Sequence, residues 1–175
     1  MAGIVQQAFT VQDLDASIRD YVTLHGIGPW FVRGPFVPTS ATYRGRPTAP
    51  RLTLARAFSG DLMIELVQQH DDTPSVFREQ IERDGYGFHH WGFVTDDFDG
   101  DLRHYEDEGM LVAFADQSST GARIAYVDTS SRLPGMTELI ESTDVQERLY
   151  AAMKDAAVGW TGDDPVRADG SLGIS

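Results

Sequence analysis

The sequence contains no cysteine. That absence excludes disulfides, zinc–thiolate sites and thiol nucleophiles, and it fits a cytoplasmic protein. Basic residues are scarce: 14 Lys and Arg stand against 27 Asp and Glu, for a formal charge of −13. A surface of that sign repels phosphate backbones and anionic lipid, so neither nucleic acid nor a membrane is an expected partner. No apolar run approaches the roughly 20 residues that span a bilayer. The segment Met1-Ala2-Gly3-Ile4 lacks the basic and apolar regions of a signal peptide, and none is expected there. Nucleophile-elbow, phosphate-loop and dinucleotide-fingerprint motifs are missing too, which leaves their mechanisms without support.

What is present is an internal repeat. Gln6-Gln7-Ala8-Phe9-Thr10-Val11-Gln12-Asp13-Leu14 returns as His90-Trp91-Gly92-Phe93-Val94-Thr95-Asp96-Asp97-Phe98. In each copy a metal-capable side chain opens a short apolar strand that an acidic turn closes. Ile64-Glu65-Leu66-Val67 is echoed by Thr137-Glu138-Leu139-Ile140. The 175 residues are enough for two half-domains that share a core.

Alternation predicts a strand over Ile4 to Val11, and Asp13 or Asp15 can cap a helix from about Ala16 to Leu24. Trp30 to Arg33 reads as the next strand. Gly34 to Pro50 is too long for an ordinary connection and suggests a pocket loop or lid. Leu52 to Phe58 and Leu62 to Val67 form a hairpin around Ser59-Gly60-Asp61. A helix over Ser75 to Asp84 links to the second half, whose strands lie at His89 to Thr95, Val112 to Ala115, Ala122 to Asp128 and Met136 to Glu141. Its helix runs from Phe98 to Glu108. The fold class is therefore α+β, with one βαβββ module in residues 1–72 and another in 73–143. Residues 144–175 supply a last helix, Asp144 to Val158, with Leu149, Met153 and Val158 facing inward, and a tail that frays from Gly162.

A βαβββ unit used twice, a strand opened by His or Gln, an Asp-Leu or Asp-Phe turn and an Ile-Glu-Leu strand together resemble the vicinal oxygen chelate superfamily. The nearest branch is that of glyoxalase I and methylmalonyl-CoA epimerase-like proteins, and the likeness runs from about Ile4 to Glu141. It implies two incomplete barrels with a divalent metal where they meet, and ligands at Gln6, Glu65, His90 and Glu138. Such a set of amide, imidazole and two carboxylates suits Zn, Ni, Co, Mn or Mg. A metal on a carbonyl oxygen stabilises an enediolate, and Glu138, with Glu65 as partner, would move the proton. The expected activity is that of an isomerase, epimerase or lyase on a small-molecule carbonyl substrate. Two other readings stand beside it: a metal-free resistance-type binding protein, and an Fe(II) ring-cleaving dioxygenase, which Gln6 disfavours by replacing a needed His. Thr10 and Gln69 occupy positions where a glutathione subsite would carry Arg and Asn. A homodimer is compatible with the resemblance, as is pairing within one chain.

Each candidate also has an ordinary reading. His89 and His90 must face opposite sides of a regular strand, so His89 is assigned to packing. Glu65 and Glu138 would otherwise be outward residues of a half-exposed sheet. Gln6 is chosen over Gln7 because its spacing to the acidic turn mirrors that of His90, and a slip of one residue would reverse the face. Trp30, Phe31, Tyr43, Tyr126 and Arg123 are candidate pocket residues. Arg44, Arg46 and Arg51 form the local basic concentration that could receive a carboxylate or phosphate.

Overall fold

The computed structural model describes residues 3–174. Met1 and Ala2 of the first module and Ser175 of the tail lie outside them. The first half contains β1 (Gln6–Thr10), α1 (Leu14–His25), β2 (Trp30–Phe36), β5 (Leu52–Ser59) and β6 (Leu62–Gln69), with two short strands, β3 (Thr42–Tyr43) and β4 (Arg46–Pro47), inside its long excursion. After α2 (Val76–Asp84), the second half runs β7 (Gly87–Thr95), α3 (Phe98–Asp107), β8 (Val112–Gln117), β9 (Arg123–Val127) and β10 (Met136–Glu141). It ends with α4 (Asp144–Ala157), β11 (Val166–Ala168) and a 3-10 turn over Asp169–Leu172. The expected α+β architecture is present. Among the described residues, none of the four helices is long and apolar enough to cross a membrane.

Local chemistry sets the elements. Asp13 caps α1 by accepting from the Ala16 amide at 2.9 Å, and Ser75 caps α2 through the Arg78 amide. Leu14 and Ile18 bury one face of α1 against Ala55, Ala57 and Leu66 of the sheet.

One sheet of eleven strands carries both halves, in the order β11-β2-β5-β6-β1-β7-β10-β9-β8-β3-β4. β1 lies parallel to β6, β7 lies parallel to β10, and β1 and β7 meet antiparallel between them. The repeat-opening strands are therefore neighbours at the seam, and the Glu-bearing strands flank them.

Three segments depart from the sequence expectation. The Gly34 to Pro50 excursion is not a bare loop: its β3–β4 hairpin crosses to the other half and pairs with β8, Thr42 opposite Ala115. The tail does not fray from Gly162, because β11 pairs with β2 and the Trp30 amide donates to Pro165 O at 2.8 Å. Leu172 and Ile174 then pack beside Phe31, Leu149 and Met153. Val158 does not face inward either: it follows the end of α4 and is 80% exposed.

Candidate metal centre

Gln6, Glu65, His90 and Glu138 converge at the seam, each at most 4% exposed. The alternation of β1 turns Gln6 inward and leaves Gln7 half-buried on the other face. Gln6 Nε2 lies 3.2 Å from Glu65 Oε2, 3.0 Å from His90 Nε2 and 2.9 Å from Glu138 Oε2. Gly92 makes the approach possible. It sits opposite both Gln6 and Glu138 in the sheet, and a Cβ there would stand 2.8 Å from Gln6 Cβ.

This arrangement fits a cation. His90 Nε2 is 3.1 Å from Glu138 Oε2 and 3.7 Å from Glu65 Oε2. Ligand atoms held at about 2.0–2.1 Å from one ion stand roughly 3.0–3.4 Å apart, so small side-chain movements bring these three onto it. The Glu65, His90 and Glu138 group can hold a divalent metal. The Gln6 amide supports the same conclusion. Its Nε2, with two hydrogens, is crowded by three polar neighbours, two carboxylate oxygens and the His90 ring nitrogen, while its buried Oε1 has no partner. With a cation among the carboxylates, the amide oxygen gains a partner and the excess demand on Nε2 disappears.

The tautomer of His90 follows from a hydrogen-bond chain. Burial, with the neighbouring His90, pulls the His89 pKa down to about 3, so His89 is neutral. Its Nε2 lies 3.1 Å from Val76 O, which only accepts, so Nε2 carries the proton. His89 Nδ1 is then an acceptor, 2.8 Å from His90 Nδ1, which must donate. With Nδ1 donating to His89, Nε2 is the His90 ring nitrogen left facing the carboxylates, the position a metal ligand needs. The two rings can meet because Ala8 pairs with His90 and Phe9 with Phe88, leaving His89 as the extra residue of a β-bulge. The expectation that the two histidines face opposite sides fails for this reason. We expect His89→Leu to weaken metal binding roughly 10–100-fold, measured by competition with a chelating dye.

The carboxylates differ in their surroundings. Arg56 Nε donates to Glu65 Oε1 at 2.8 Å, and the two side chains are 13% and 5% exposed. Burial raises the Glu65 pKa above the usual carboxylate range; Arg56 opposes this, and Glu138 adds to it. Burial acts the same way on Glu138, but His90 and the Tyr126 hydroxyl outweigh it and hold that carboxyl below the usual range.

The cluster closes one end of a cavity of about 330 Å³ walled by Leu52, Leu54, Phe77, Phe114 and Tyr126, with Leu149 and Tyr150 of α4 as its roof. Of the five candidate pocket residues, Tyr126 alone lines it. Trp30 is fully buried in the α1 core, 5.3 Å from the Tyr21 ring, and Phe31 packs beneath α4 with Met153. Tyr43 lines a separate surface depression and donates to Glu79 at 2.6 Å. Arg123 stands at the exterior, bound to Glu141 at 2.7 Å and Asp99 at 2.8 Å over the Phe98 ring. Arg44 is likewise tied to Glu79 and Asp128, and so is not a free anion receptor. Thr10 donates to Gln80, and Gln69 binds Asp71 and Thr73.

Residues 5–126 match the family model for the glyoxalase/bleomycin resistance protein/dioxygenase superfamily. The chain belongs to this superfamily. Among solved structures of the fold, a Streptomyces coelicolor methylmalonyl-CoA epimerase variant in complex with 2-nitronate-propionyl-CoA aligns at 22% identity and TM-score 0.59, over 81% of this chain and 94% of that one. Methylmalonyl-CoA epimerase from Mycobacterium tuberculosis aligns at 17% identity and TM-score 0.56, over 83% and 91% of the two chains. A hypothetical protein from Bacillus halodurans aligns at 15% identity and TM-score 0.60, over 81% and 95%. No curated protein matches the sequence. The superfamily match includes Gln6, Glu65 and His90 and ends before Glu138, which β10 delivers beside His90.

Proposed function

We propose that this superfamily member is a metal-dependent enzyme that moves a proton at a carbon next to a carbonyl group, as an epimerase, isomerase or lyase does. The observation that carries the reading is the Gln6 amide, with three polar neighbours crowded around Nε2 and an orphaned Oε1 amid two buried carboxylates and an imidazole. Gln6, Glu65, His90 and Glu138 would hold the cation. A bound divalent cation supplies the Lewis acidity that stabilises negative charge developing on the carbonyl oxygen.

The chain's own groups perform the proton transfer. Glu138, the carboxyl with the lowered pKa, stays ionised and takes the proton from carbon. The carbon–hydrogen electron pair moves into the carbonyl system. Glu65, the carboxyl with the raised pKa, is suited to return a proton to the same or the adjacent carbon. Arg56 keeps Glu65 in place, and the apolar walls exclude the water that would compete for the carbanionic carbon. A small-molecule carbonyl compound suits a cavity of this size.

Protein purified from metal-replete cultures is expected to carry close to one equivalent of divalent metal by elemental analysis. Removing it with a chelator and restoring it at a hundredfold excess over the dissociation constant should return about 2.7 kcal/mol of stability, read as a shift in thermal midpoint of roughly 5–10 °C. Metal-loaded protein should also exchange solvent deuterium into the carbon acid it turns over. A metal content near zero, with no midpoint shift on adding Zn, Ni, Co, Mn or Mg, would refute the proposal. It would leave the second reading, a metal-free binding protein whose Gln6 amide permanently bridges the carboxylates.

A further inference from the structure

In this strongly acidic chain, two arginines line the cavity that ends at the candidate metal centre. Arg56 gives its Nε to Glu65, and among the described residues nothing engages its terminal nitrogens. Arg33 is half-buried and makes no hydrogen bond or ion pair among the described residues; it rests 4.2 Å from the Phe36 ring centre. The sheet register brings the two together. Arg33 pairs with Leu54, and Phe31 pairs with Arg56, so Arg33 and Arg56 are diagonal neighbours on one face, roughly 7–8 Å apart between Cα atoms.

The pair repel each other. Burial first and the Arg56 charge second lower the pKa of Arg33, while Asp116 and Asp169 act in the opposite sense from beyond ion-pair distance. A guanidinium set beside a second one in a partly apolar cavity has the Phe36 ring as a neighbour but no charged or hydrogen-bonding partner. It costs desolvation and repulsion that a bound anion would offset. The charge balance points the same way. Glu65, Glu138 and Asp116 stand against Arg33 and Arg56 in the lining, so a divalent cation would turn a net charge of about −1 into about +1 and leave the cavity positive.

We propose that Arg33 and Arg56 form a carboxylate-receiving subsite, and that the substrate is a carbonyl acid with an apolar arm. Its carboxylate meets the two guanidiniums, its carbonyl reaches the cluster of Glu65, His90 and Glu138, and its arm lies against Leu52, Leu54 and Phe114. The roles of carbonyl and cluster rest on the function proposed above; the anion subsite rests on the arginines alone.

The test uses phenylacetate and its neutral isostere phenylacetamide as probes, titrated calorimetrically into metal-loaded and chelator-treated protein. The wild type is expected to prefer phenylacetate by about tenfold or more in both states. Arg33→Gln should abolish most of that preference, and Arg33→Lys should retain much of it. Arg33 has no hydrogen bond or ion pair to lose, so both variants are expected to fold, with circular dichroism as the check. Equal affinity for acid and amide in the wild type overturns the subsite whatever the variants do. A preference unchanged in Arg33→Gln overturns it as well. A preference that vanishes on chelation assigns the carboxylate to the metal and also overturns it. Protein that binds no metal, yet discriminates through Arg33, would refute the proposed reaction and leave the subsite standing.

Discussion

Arg56→Met is expected to cost the protein about 3–5 kcal/mol of folding stability, because it leaves Glu65 as a buried charge without its partner. The native pair is well made, with Arg56 Nε 2.8 Å from Glu65 Oε1 and both side chains nearly sealed from water. Glu138 next to Glu65 adds to the penalty. The loss corresponds to a fall in thermal midpoint of roughly 6–20 °C for a chain of this length. Its dependence on pH has a definite sign. Arg56 lowers the Glu65 pKa, so removing it pushes that carboxyl further above its unfolded value of 4.5. A carboxyl raised on folding stabilises the protein below its unfolded pKa and loses that contribution as pH rises through its folded pKa. The deficit of Arg56→Met should therefore be largest in neutral and alkaline solution and shrink on acidification toward the ordinary glutamate range. Adding Glu65→Gln should recover most of the loss at neutral pH. Denaturant unfolding of metal-free protein across pH checks each point, and a deficit that does not vary with pH would contradict the assignment to Glu65.

Glu138→Gln is expected to lower turnover by roughly 10²–10⁴-fold, the usual contribution of a positioned general base. The amide keeps the size of the side chain but cannot accept a proton from carbon. Because Glu138 is held below the usual carboxylate range, wild-type kcat/KM should lose activity on its acid side only below the ordinary glutamate range. Solvent deuterium exchange separates chemistry from binding. A variant that holds metal and substrate but has lost exchange identifies Glu138 as the base, whereas one that exchanges at the wild-type rate removes it from that role.

The repeat made much of the fold legible, because a duplicated strand pattern fixes both the number of elements and the face each strand turns inward. Spacing to the acidic turn distinguished Gln6 from Gln7, and the alternating burial of β1 gives the same face. Arg56 carries a usable signal in the sequence. It is the charged residue in the apolar strand Leu52 to Phe58, and counting back from the Ser59-Gly60-Asp61 turn sets it opposite Glu65, as the register shows. Arg33 ends the strand expected over Trp30 to Arg33, and its nearness to Arg56 depends on the β2–β5 register. His89 carried no such signal: the bulge that turns it toward His90 depends on the β1–β7 pairing, which connects residues far apart in sequence. Trp30, Phe31 and Arg123 were placed in the pocket from residue type alone, while their surroundings are decided by α1, α4 and Asp99, which no local pattern brings to them. The tail looked disordered because its Gly and Asp residues favour turns; the pairing of Val166 with Trp30 is again a long-range event.

The short strands at the two ends of the sheet bear on how this protein meets other chains. β11 occupies the free side of β2, and the β3–β4 hairpin occupies the free side of β8, so neither long strand offers its open row of backbone donors and acceptors. Exposed rows of that kind template aggregation and domain swapping, and a short covering strand blunts them. Self-assembly through β2 or β8 would first require detaching Val166–Ala168 or the hairpin, which leaves only strands of two or three residues, β4 and β11, at the sheet's two borders.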